Sequence, residues 1–164
     1  MTSLLSKKQL VIISFVLIAA IIRLFPHLPN VTPITAMALF SGVYFTNKKY
    51  AFLVPLIAMF ISDLFLGFSA ISIFVYLAFI LISFIGIKSK KIGISSVLIS
   101  SLSFFVITNF GDWLIGYPKT IGGLVECYTL AIPFFRNSVI GDLFFTAVMY
   151  FSFEFVAKKY LQTA

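Results

Sequence analysis

Of the chain's 164 residues, 61% are hydrophobic and only 10% charged, against about 25% charged in an ordinary soluble domain. No water-soluble core hides that much apolar surface, so the net charge of +7 is better explained by membrane topology than by nucleic-acid binding. The lone Cys127 leaves no internal disulfide framework and reads as a small apolar filler.

A helix needs about 20 apolar residues to cross a bilayer, fewer when its ends are anchored. On that basis residues 1–164 are predicted to form one all-α membrane domain, a polytopic bundle of six transmembrane helices near 9–25, 31–47, 50–67, 69–87, 92–115 and 137–157. The first follows Lys7 and Lys8 like a signal sequence, but it ends in Arg23-Leu24-Phe25-Pro26 with no small-residue cleavage site, so it is expected to stay as an anchor. Next comes Pro26-His27-Leu28-Pro29, a stiff loop holding the only histidine. One histidine with no second His or Cys at ligand spacing argues against a metal centre.

The second segment carries Thr35, Ala38 and Gly42 on one face with Ser41 beside them, a pattern that lets helices approach closely. In the third, Pro55 is expected to kink the helix, and Asp63 lies about 6 Å from the end at Gly67. On the fifth, Ser101, Thr108 and Asp112 recur at i, i+7 and i+11 with Asn109 beside them; on the sixth, Ser138, Asp142 and Thr146 repeat every four residues. Each is one polar stripe on an otherwise greasy helix, which suits the lining of a cavity. Between these two, Gly116 to Arg136 is interrupted by Gly122-Gly123 and Pro133. It reads as an outer loop with a short amphipathic helix capping the pocket.

Basic residues fix the orientation, because cytoplasmic loops collect Lys and Arg. With both termini in the cytoplasm, nine fall inside (Lys7, Lys8, Lys48, Lys49, Lys88, Lys90, Lys91, Lys158, Lys159) and three outside (Arg23, Lys119, Arg136). Four of the five acidic residues then lie on the outer side: Asp63, Asp112, Glu126 and Asp142. A carboxylate within a span costs about 2.5–3.5 kcal/mol at mid-bilayer, so it faces the bundle interior, a partner or a wet cavity. The candidate substrate-binding set is Arg23, Asp63, Asn109, Asp112, Trp113, Glu126, Arg136, Asn137 and Asp142, with Asp63, Asp112 and Asp142 expected to converge on one outer cavity within reach of Arg23 or Arg136. The structural alternative is that these groups only hold helices together, the three Asp pairing with the two Arg. Trp113 also fits an interfacial aromatic belt.

Several chemistries are missing. The sequence has no G-x-x-x-x-G-K-[ST] phosphate loop, no G-x-S-x-G elbow and no metal cluster, and it assembles no nucleophile, base and oxyanion site. It is read as a non-enzyme without cofactors.

The run Pro33-Ile34-Thr35-Ala36-Met37-Ala38-Leu39-Phe40-Ser41-Gly42, a basic turn, then Pro55 to Leu64 with Ser62-Asp63, Gly67, and a span ending in Gly86 has a familiar shape. It resembles the substrate-binding S components of energy-coupling-factor (ECF) transporters, and more closely a related family of uncharacterised bacterial six-span proteins. Gly123-Leu124, Cys127-Tyr128, Ile132-Pro133-Phe134-Phe135 and Gly141 to Phe145 extend the likeness from about Arg23 to Phe155. The resemblance implies an S-component-like bundle in the bacterial inner membrane, an outward-facing site for a vitamin-class solute, and partnership with a membrane coupling protein and cytoplasmic ATPases. The usual A-x-x-x-A docking motif is absent from the first span, which reads Phe15-Val16-Leu17-Ile18-Ala19-Ala20-Ile21-Ile22. A non-transporting six-span scaffold, of the kind found in bacterial cell-shape complexes, is the alternative.

Overall fold

The computed structural model describes residues 6–26 and 30–161. Six α-helices follow one another: α1 (Lys7–Ile22), α2 (Ile34–Tyr44), α3 (Lys48–Leu66), α4 (Ser72–Ser89), α5 (Ile94–Gly116) and α6 (Ile121–Val156), the last continuing into a short π-helical turn at Ala157–Leu161. Local chemistry sets several ends. Ser6 and Gln9 form a capping box at the start of α1, which satisfies two otherwise unpaired N–H groups. The Asn47 side chain accepts from Lys49 N at 2.9 Å to start α3. Gly67, at φ +89°, ends α3 in a conformation that suits glycine.

Four helices, α3, α4, α5 and α6, are long and apolar enough to cross a membrane, yet only 28–33% of each apolar window is buried within the bundle. Large apolar side chains point outward all round it, Phe65, Ile94, Phe151 and Phe155 among them. In water such a surface would be an aggregation hazard; against lipid tails it is the expected exterior. The protein has the surface of a membrane protein.

Helix α2 is the centre of the bundle and touches all five other α-helices. Eight of its 11 residues are buried. Its small-residue face does what small faces do in membranes: Gly42 meets Gly86 on α4 so closely that a Cβ on Gly86 would stand 2.6 Å from the Leu39 carbonyl oxygen and 2.9 Å from Gly42 Cα. At the lysine-rich end Phe40, Tyr44 and Phe153 stack with centroids 4.3–5.3 Å apart, and the Tyr44 hydroxyl donates to Glu154 at 3.1 Å.

Two expectations are corrected. Helix α2 does not fill 31–47 but spans 34–44, about 16 Å at 1.5 Å per residue. Pro33 precedes it and Phe45 is already extended, so the apolar stretch is partly loop. The segment from Gly116 to Arg136 is not a loop either. After a tight turn at 117–120 it becomes the first half of α6, a 36-residue helix about 54 Å long. The residues that look like breakers have local roles. Thr120 caps the helix by accepting from Gly123 N at 3.1 Å. A Cβ on Gly123 would collide with the Pro118 carbonyl oxygen at 2.2 Å. Helix α6 also runs through Pro133, as α3 does through Pro55, because surrounding groups in a membrane bundle can compensate a single lost backbone bond.

Candidate functional site

The carboxylates of Asp63, Asp112 and Asp142 have three different surroundings. Asp63, in the last turn of α3, is buried. Arg23 Nη1, just past the end of α1, donates to its Oδ1 at 2.6 Å and to Ser62 Oγ at 2.5 Å. The Tyr76 hydroxyl on α4 donates to Oδ2 at 2.7 Å. Both carboxylate oxygens are therefore occupied, and one ion pair ties α1, α3 and α4 together. The sequence singles out Arg23 and Asp63 but misses Tyr76. A lone phenol one turn into an otherwise apolar α4 is the signal that marks it.

Asp142 lies well inside α6 rather than in the first turns of a span, because α6 starts 21 residues earlier, at Ile121. It is 3% exposed. Ser101 Oγ on α5 stands 2.6 Å from its Oδ2, and the Thr35 hydroxyl on α2 also hydrogen-bonds the carboxyl. The two polar stripes meet here. Gly141 leaves room for the chain leading into α2, since a Cβ there would stand 3.1 Å from Val31 Cα. A cavity of about 100 Å³ adjoins Asp142, lined on its polar side by Asn30, Thr32, Thr35 and Ser138.

Asp112, four residues before the end of α5, is exposed. No hydrogen bond or ion pair occupies its carboxylate among the described residues. It lines a cavity of about 320 Å³ between α5 and the first half of α6, together with Asn109, Tyr117, Cys127, Leu130 and Phe134. Asn109 turns its amide nitrogen to the Phe105 carbonyl at 2.7 Å, and the Cys127 thiol contacts the Asn109 carbonyl at 3.4 Å.

The other expected site residues are spread more widely. Trp113 donates its indole N–H to the Pro118 carbonyl at 3.0 Å, and Lys119 caps the same corner through the Trp113 and Tyr117 carbonyls. These contacts brace the α5–α6 turn. Glu126 and Arg136 are exposed on α6, and Asn137 beside Arg136 is half-buried. Arg136 is not in an outer loop: its neighbour Phe135 stacks on Phe105, 4.6 Å between centroids, halfway along α5. His27 lies outside the described residues.

Residues 4–163 match a family of unknown function, DUF6580. The chain belongs to this family. No curated protein and no solved structure matches it. In this DUF6580 member the end of the bundle away from the lysine-rich turns thus carries an ion-paired Asp63 and an unpaired Asp112, with Asp142 enclosed deeper between α2, α5 and α6. Asp112, Asn109, Cys127 and Tyr117 share one cavity, while Arg23 and Asp63 belong to the packing of α1 on α3.

Proposed function

We propose that the protein crosses the bacterial cell membrane six times, with both termini on the lysine-rich cytoplasmic side, and binds a small solute of the vitamin or vitamin-precursor class from the opposite face. The observation that carries this reading is Asp112. A carboxylate is set in a 320 Å³ cavity, within the range of about 300–1,000 Å³ for small-molecule pockets, without a protein partner among the described residues. Asn109 and Tyr117 add polar edges, and Leu130 and Phe134 an apolar wall. Such a lining suits a flat, partly apolar solute that offers a cationic or hydrogen-bond-donating group to Asp112.

The purified chain, screened for thermal stabilisation against water-soluble vitamins and their precursors, is expected to respond to at least one. Asp112→Asn should abolish that response while the folded yield stays nearly unchanged, because no described contact depends on the carboxylate. A response retained in Asp112→Asn would refute this assignment of the pocket.

Energy for uptake is assigned to separate chains, because the sequence has no phosphate loop and its turns between helices are short. The missing docking motif fits a weak or conditional association with a coupling protein. Solute uptake by the isolated chain in liposomes, with no partner present, would end the claim of dependence.

Topology has its own test. In a Cys127→Ser background, a cysteine placed at Lys90 should resist an impermeant thiol reagent added outside intact cells, and one placed at Lys119 should react. Reaction at Lys90 from outside would reverse the orientation.

A second reading, the membrane scaffold, is favoured by the Arg23–Asp63–Tyr76 and Ser101–Asp142 contacts, in which polar residues act as helix-to-helix ties. It is the reading left if no solute engages Asp112.

A further inference from the structure

We propose that the cavity at Asp142 is a binding site for one compact monovalent cation, either an alkali ion such as sodium or a primary ammonium group. The proposal is independent of solute binding at Asp112. Asp142 is a carboxylate 3% exposed in a bundle whose exterior is apolar, and no described cationic side chain pairs with it. Arg23 is committed to Asp63 and Ser62, and Arg136 is exposed on α6. The start of α2 at Ile34, which also lines the cavity, brings the positive end of a helix dipole, about half a charge. That favours the ionised carboxylate without neutralising it.

The Ser138 hydroxyl on the cavity wall is set as an acceptor. Ser138 Oγ donates to the Phe134 carbonyl at 3.1 Å, so only its lone pairs remain for a ligand. Ser101 Oγ is within reach of both the Val97 carbonyl, at 3.0 Å, and Asp142 Oδ2, at 2.6 Å, but has one hydrogen to give. With the cavity empty that hydrogen serves the carboxylate. With a cation on Asp142 it can return to Val97, as serines on membrane helices commonly bond the carbonyl four residues back. A pocket holding a carboxylate and a Ser138 with only lone pairs to offer favours cations or N–H donors over anions.

Size narrows the class further. A cavity of about 100 Å³ holds a few water molecules. A partly dehydrated sodium ion or a methylammonium-sized head fits, and choline or a whole vitamin does not. Oxygen donors from Asp142, Thr35, Thr32, Asn30 and Ser138 suit a hard monovalent ion.

The full chain in detergent should bind close to one ²²Na⁺ or one radiolabelled methylammonium per molecule. Its thermal midpoint should rise saturably when choline chloride is replaced by sodium chloride or methylammonium chloride at fixed ionic strength. Asp142→Asn should lose both effects, and Ser138→Ala, which keeps the carboxylate, should weaken binding about tenfold, the scale seen when a supporting group around a metal is removed. Asp112→Asn should bind the cation as the unaltered chain does. A response to methylammonium alone would assign the site to the ammonium head of an organic cation, and a response to sodium alone would assign it to an alkali ion. Equal stability in choline, sodium and methylammonium would overturn the proposal. Binding unchanged in Asp142→Asn and Ser138→Ala would overturn it as well.

Discussion

Asp63→Ala is expected to destabilise the bundle by about 3–5 kcal/mol, the usual result of removing one partner from a buried ion pair. The loss exceeds that of an ordinary hydrogen bond because a partly buried charge and a partly buried hydroxyl are stranded together. Arg23, whose side chain is only 15% exposed, would keep its charge with Ser62 as its remaining partner, and Tyr76 would lose its acceptor. Tyr76→Phe, which removes only one bond to a charged group, should cost less, about 1.5–3 kcal/mol. Arg23→Met combined with Asp63→Leu should recover much of the loss, since an apolar pair carries no stranded charge. Unfolding by dodecyl sulfate in mixed micelles measures all four proteins. A cost below about 1 kcal/mol for Asp63→Ala would mean that the pair is dispensable, contrary to the usual behaviour of such pairs.

At the α2–α4 crossing, Gly86→Ala should cost about 1–3 kcal/mol, the range for overpacking a tight interface, and Gly86→Val more. The added Cβ would meet backbone, at 2.6 Å from the Leu39 carbonyl oxygen and 2.9 Å from Gly42 Cα, and backbone cannot swing aside as a flexible side chain can. Either α2 moves or the helices part. Because α2 also carries Thr35 onto Asp142, displacement should reach the inner cavity and lower cation affinity without any change to its lining. Gly93→Ala is the control, since nothing stands within 4 Å of a Cβ there. A Gly86→Ala protein as stable as the Gly93→Ala protein would show that the crossing has slack.

Helices α3, α4 and α5 were legible because their apolar runs are long, their ends are marked by lysines, Gly67 and Gly93, and a lipid-facing helix needs no amphipathic period to betray it. Helix α2 was over-read for the same reason: an apolar run looks alike whether it is helix or the approach to one. Helix α6 was cut in two because Gly122, Gly123 and Pro133 weigh as breakers in water, whereas here two glycines fit the first turn and the proline is carried by its neighbours. At the site, the Arg23–Asp63 pairing was within reach of the sequence as the structural alternative, and the helical spacing that put Ser101 on one stripe and Asp142 on another also brought them together. The expected convergence of the three carboxylates on one cavity is not what the structure has, because a stripe fixes a direction on its own helix and says nothing about which neighbour stands opposite. That choice depends on α2, about two-thirds of the expected length and set between the two polar regions.

The 36-residue α6, about 54 Å of helix, is far longer than the hydrocarbon of a bilayer, about 30 Å thick. Its neighbour α5 has 23 residues, about 34 Å, so the two cannot both match the same slab while standing upright. Hydrophobic mismatch of this kind is relieved by tilt, local thickening of the bilayer or emergence of one end, each at fractions of a kcal/mol per Å. Whichever relief operates, α6 is the helix with the largest excess of length over that slab. It carries Leu130 and Phe134 at one cavity and Ser138 and Asp142 at the other, so a change of lipid chain length would turn both linings together against α5.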